Sequence, residues 1–104
     1  MSAIKGTLYK NLNEMLPGNQ EIDEESKEVI DMFENAKDGH EAATIIREHP
    51  CVGKIIVEAL DNCKNCCCRH CGCKEKFIFV HSMIKPYANE LTNHLKSKLA
   101  KISV

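Results

Sequence analysis

Tryptophan is absent, and aromatic residues of any kind are few: three phenylalanines and two tyrosines in 104 residues. A core must therefore be assembled from Ile, Leu, Val, Met and Ala, and the 43% apolar content lies within the globular range. Proline is scarce too, so each of Pro17, Pro50 and Pro86 is informative as a break. No apolar run approaches the ~18 residues of a membrane helix. Met1-Ser2-Ala3-Ile4-Lys5 leads into an amphipathic pattern rather than an apolar signal region. These absences predict a soluble intracellular protein, cytoplasmic or nuclear, with no membrane partner. There is no Gly-rich phosphate loop, no His-Glu-x-x-His, and no His-x-Glu paired with Pro-Cys-x-x-Cys. An enzyme is not expected.

Length suggests a single domain over 1–104, large enough for one small core without disulfides. A net charge of −1 conceals an asymmetry. Residues 1–50 carry eleven Asp/Glu against five Lys/Arg, and residues 51–104 carry four against nine. The chain thus reads as an acidic half followed by a basic half. Attraction of the halves for each other, or for a second copy, accounts for this more simply than an anionic partner, because no dense Lys/Arg run exists.

Apolar spacing predicts an all-α fold. Ile4, Leu8, Leu12 and Met15 recur at helical intervals until Pro17-Gly18. Ile22, Val29, Ile30, Phe33 and Ala36 mark a second helix with an acidic first turn, and Asp38-Gly39 stops it. A short helix follows from His40 to about His49. Pro50 then suits the first position of a fourth helix. There Val52, Ile55, Ile56, Ala59, Leu60 and Cys63 form the strongest stripe, which should be the central, most buried element. Cys51 is expected to be a small buried hydrophobe. Residues 77–84 favour helix, with a short strand at 77–80 as the alternative. A helix is expected over 86–101, divided from its predecessor by Pro86. Ala88, Leu91, Leu95 and Ile102, with Leu99 beside them, either pack on the core or form a seam for self-association through the C-terminal helix.

Seven cysteines in a reducing compartment point to metal rather than disulfides. Six of them, with one His, fall within the eleven residues Cys63-Lys64-Asn65-Cys66-Cys67-Cys68-Arg69-His70-Cys71-Gly72-Cys73. Zinc takes four thiolate or imidazole ligands in a tetrahedron. Cys63-x-x-Cys66 and Cys68-x-x-Cys71 each offer a two-thiolate grip, with Cys73 and either His70 or His81 completing a set. Seven candidates exceed the needs of one ion, so one or two zinc ions are expected. An iron–sulfur cluster is the less favoured occupant. Cys63, Cys66 and Cys67 share a helix face if the fourth helix reaches Cys67, and that face continues the apolar stripe. Cys51 lies about 18 Å earlier along the same helix and cannot share an ion with Cys63. His40, His49 and His94 are isolated and read as surface or capping residues. The surplus of thiolates argues for a closed, structural site.

The run Cys-x-x-Cys-Cys-Cys-x-His-Cys-x-Cys followed by Phe resembles the cysteine-rich region of lentiviral Tat transactivators over about fifteen residues. The arginine-rich motif and glycine-containing core of Tat are missing, so no function or residue role carries over. Small cysteine-rich viral regulators, including suppressors of host defence, are compatible with this make-up. The residues themselves predict a zinc-binding regulatory protein acting through protein–protein contacts. One alternative is zinc-dependent RNA binding, with Lys64, Arg69, Lys74 and Lys76 around the cluster as phosphate contacts. Another is a redox or metal-handling role for the surplus thiols.

Overall fold

The computed structural model describes residues 7–16, 21–64 and 73–102. They form six α-helices: α1 (Thr7–Met15), α2 (Glu24–Glu34), α3 (Gly39–Glu48), α4 (Pro50–Lys64), α5 (Cys73–Ile84) and α6 (Asn93–Ile102). A 3-10 segment, Lys85–Glu90, connects the last two. No strand occurs among the described residues. The strand alternative for 77–80 is therefore corrected: those residues lie inside α5. Their β-rich composition yields to the helical stripe of Phe77, Val80 and Ile84, which packs that face on the core. Ile4 and Pro17-Gly18 lie outside the described residues.

Sequence chemistry explains the helix boundaries. Asp23 caps α2, its Oδ1 accepting the Ser26 N–H at 2.9 Å. Asp38 caps α3 in the same way through the Glu41 N–H at 2.9 Å, and the Glu41 carboxylate accepts the Lys37 N–H at 3.2 Å. His49 closes α3, its N–H returning to the Ile45 carbonyl, and Pro50 opens α4 without losing a needed donor. Hydrogen bonding from Ser26, by its side chain first and then its backbone N–H, holds the Asp23 carboxyl below its ordinary 3.8. A carboxyl lowered by folding stabilises above its unfolded pKa and ceases to as pH falls through the folded one. Asp23→Ala should therefore lower the melting temperature near pH 7, and the gap from the unmodified chain should close by about pH 2 in thermal melts.

α4 contacts each of the other five helices, as its stripe predicts. Val52, Ile56, Ala59 and Leu60 are fully buried, and so is Val57, which the stripe had not included. Around α4 lie Leu8 and Leu12 of α1, Ile30 and Phe33 of α2, Ile46 of α3, Val80 and Ile84 of α5, and Leu99 and Ile102 of α6, all in one continuous cluster. The acidic and basic halves thus share a single core. Ion pairing between them runs both ways: Lys76 pairs with Glu14 at 3.2 Å, but Arg47 of the acidic half pairs with Glu90 of the basic half at 3.0 Å.

The expected helix over 86–101 is broken. Pro86 sits in the 3-10 segment, Tyr87 leaves helical geometry, and Leu91 is extended. α6 restarts at Asn93, with the Thr92 hydroxyl accepting the Leu95 N–H at 3.4 Å. Gly53 makes this junction possible, because a Cβ there would stand 2.6 Å from Leu91 Cδ2. Tyr87 meets Phe33 edge-on at 5.5 Å, tying the 3-10 segment to α2. Leu91, Leu95, Leu99 and Ile102 are all buried within this chain. The stripe proposed as a self-association seam is consumed by its own core, and α6 turns Lys96, Ser97 and Lys101 to solvent.

Candidate metal centre

The cysteine-rich segment joins two helices that pack on each other. α4 ends at Lys64, α5 begins at Cys73, and the two are in direct contact. Cys63 lies one residue before the end of α4 and is 7% exposed, on the face that carries Val52, Ile56, Ala59 and Leu60. The first thiol of the segment is therefore fixed against the core, as its place on the stripe predicts. Lys64 is also held: its Nζ donates to the Lys101 carbonyl of α6 at 2.9 Å. Asn62 donates to the Met15 carbonyl of α1 at 2.6 Å. The last turn of α4 is thus tied to α1 and α6 by hydrogen bonds, giving any bound ion a rigid edge.

Cys66, Cys67, Cys68, Arg69, His70, Cys71 and Gly72 lie outside the described residues, so the two grips have one placed member, Cys63. Cys73 is the first residue of α5. Among the described residues no three His, Cys, Asp or Glu converge as a metal site. Any complete set must draw on 65–72, where the donors are concentrated. Cys63 fits a cation: it is buried at a helix C-terminus, whose partial negative charge disfavours a bare thiolate and favours a positive ion beside it.

His81 is a different matter. It stands eight residues after Cys73 on one continuous helix, about 12 Å along the axis at 1.5 Å per residue. Zinc ligands sit only about 2.0–2.3 Å from the ion, so His81 and Cys73 do not share one. The imidazole stacks on Phe77, with centroids 5.7 Å apart and planes within 8°. Burial, and secondarily the charge of Lys85, push its pKa below the ordinary 6.5.

Of the basic residues flanking the cluster, Arg69 lies outside the described residues, and two of the other three have partners within the chain. Lys64 is bonded to α6, Lys76 is paired with Glu14, and Lys74 is exposed on the first turn of α5. His40 and His94 are exposed and His49 half-buried at its cap, in keeping with surface and capping roles.

Cys51 corrects the sequence reading. It is exposed, not buried. The buried face of α4 begins at Val52 and Gly53, and Cys51 falls beside it. It borders an open cleft of about 440 Å³ with Lys54, Glu58, His94, Leu95 and Lys98. The sequence signal for this orientation was Gly53, which marks where another segment crosses α4 closely. A second missed feature is Ile78, 57% exposed between half-buried Phe77 and Phe79. Four consecutive apolar residues on one helix point in four directions, so they cannot all face one core. Among the described residues no helix is long and apolar enough to cross a membrane. No protein-family model matches the chain, and neither a curated protein nor a solved structure matches it significantly.

Proposed function

We propose that this chain is a non-enzymatic, zinc-binding regulatory protein that works through protein–protein contacts. One observation carries the reading. A segment with six thiols and one imidazole in eleven residues is anchored by a buried Cys63 to the helix that touches every other helix. A donor set this rich in thiolate favours a closed tetrahedral ion over one with an open water position. Zinc in that position would hold the α4–α5 connection. Cys63, Cys66, Cys68 and Cys71 are the first ligand set, with Cys73 and His70 available for a second ion.

Protein contact is favoured over nucleic acid because Lys64 and Lys76 already have partners inside the chain. Phosphate binding would have to compete with both. RNA retention that falls steeply with salt would reverse that preference.

Native mass spectrometry of the full chain should find one or two zinc ions per copy, in a colourless protein. Cys68→Ser with Cys71→Ser should remove at least one ion. A folded protein carrying no metal would sink the reading, and visible charge-transfer absorption would replace zinc by an iron–sulfur cluster.

A further inference from the structure

Two large apolar side chains stand mostly in solvent among the described residues: Met32 at 51% exposure on α2 and Ile78 at 57% on α5. Each lies within a row of charge, and the signs are opposite. Glu28 and Glu25 precede Met32 by four and seven residues, so they share its face, and both are exposed with Glu24 beside them. Lys27 is the base on that helix, and its Nζ is 5.0 Å from the Tyr9 ring centroid on α1. Exposed Lys74 precedes Ile78 by four residues on α5, with Glu75 the acid beside it, and exposed Lys85, the first residue of the 3-10 segment that continues α5, follows Ile78 by seven.

The outer face of α5 mixes exposed Lys74, Glu75 and Ser82 with exposed Ile78. Val80 and Ile84 serve the core, while Ile78 points to the opposite side. A helix apolar on more than one side has a second surface to cover. The ion pairs among the described residues do not absorb these charges. Lys76–Glu14, Arg47–Glu90 and Lys98–Asp61 involve none of Glu24, Glu25, Glu28, Lys74 or Lys85.

We propose that the chain self-associates, the acidic Met32 face of α2 on one copy seating on the basic Ile78 face of α5 on the next. Charge complementarity selects the second copy as occupant, since the same chain carries both halves of the match. With the helices antiparallel and Met32 opposite Ile78, Glu25 falls opposite Lys85, each seven residues or roughly 10 Å away. The two faces differ, so the contact is heterologous: it closes into a pair when two copies exchange both faces, and otherwise extends. This names a partner for the interaction role proposed above and rests on that reading for its purpose, while the contact itself needs no zinc. Its ion pairs are exposed and individually weak, so association should be salt-sensitive.

Sedimentation equilibrium of the zinc-loaded full chain tests it. At about 50 mM salt the mass should rise above the 11.7 kDa of one copy with concentration, and it should return to that value at about 500 mM. Glu25→Lys with Glu28→Lys, and separately Lys74→Glu with Lys85→Glu, should each weaken association by about tenfold or more. Mixing the two variants should restore it, and so should combining all four substitutions in one chain. Ile78→Ser should weaken it as well. A chain that stays at 11.7 kDa at low salt, or reversed variants that associate as well as the original, would overturn the proposal. Rescue by mixing also shows that the variants are folded. Counting zinc in the same samples keeps the two readings apart. Monomers that carry zinc refute only the contact, and association without zinc refutes only the metal.

Discussion

A strong chelator added to the zinc-loaded protein should unfold at least residues 60–84. Structural zinc in small modules contributes an apparent ~10–16 kcal/mol, against a typical net domain stability of ~5–15 kcal/mol. Loss of the ion therefore removes as much as the fold has to spare. The damage should spread from the last turn of α4. Cys63 is buried there, and beside it Asn62 and Lys64 tie that turn to α1 and α6. Circular dichroism should lose helical signal, and hydrogen exchange should show α4 and α5 losing protection before α2 and α3. Cys63→Ser should act in the same direction. Cys51→Ser supplies the control: it is exposed and lies twelve residues earlier on the same helix, about 18 Å along the axis, so zinc count and melting should not change. Identical melting with and without chelator would mean that the metal is not structural.

The helical character of the chain was legible because its apolar residues repeat at intervals of three and four. α4 shows this best: Val52, Ile56, Ala59, Leu60 and Cys63 are buried where the repeat places them, and Ile55 is half-buried at its edge. What the repeat could not supply is where a neighbour crosses. Gly53 looks like a weak point in a helix, yet its missing Cβ admits Leu91, and that contact fixes the break between the 3-10 segment and α6. Local spacing favours a continuous helix from Pro86 onward, and the tertiary contact overrides it. Cys51 misled for a related reason, since cysteine is commonly buried but burial depends on rotational position. At the candidate site, the position of Cys63 followed from the stripe. The distance of His81 from Cys73 follows from helical rise once α5 is known to be unbroken. That rise sets His81 two turns from Cys73, while the other candidate donors lie in 65–72, outside the described residues.

Leu60→Ala should be among the costliest single substitutions outside the cysteine cluster. Leu60 is fully buried on α4, the helix that contacts all five others, so removing its side-chain atoms leaves a space in the shared core. Leu→Ala changes of this kind cost about 2–5 kcal/mol. For a chain near 100 residues, each kcal/mol lowers the melting temperature by about 4–8 °C, so the expected loss is on the order of 10 °C or more. Ile78→Ala is the informative comparison. Both residues are aliphatic and both lie in helices. Ile78 is 57% exposed, and substitutions at such positions usually change stability by about 0.5 kcal/mol or less. Both variants should be melted with zinc bound and at high salt, where any contact between copies is suppressed. A large loss at Leu60 beside a negligible one at Ile78 means that α5 faces the core with Val80 and Ile84 and leaves Ile78 for another surface. Equal losses at the two positions would refute that orientation of α5, and with it the exposed face on which self-association depends.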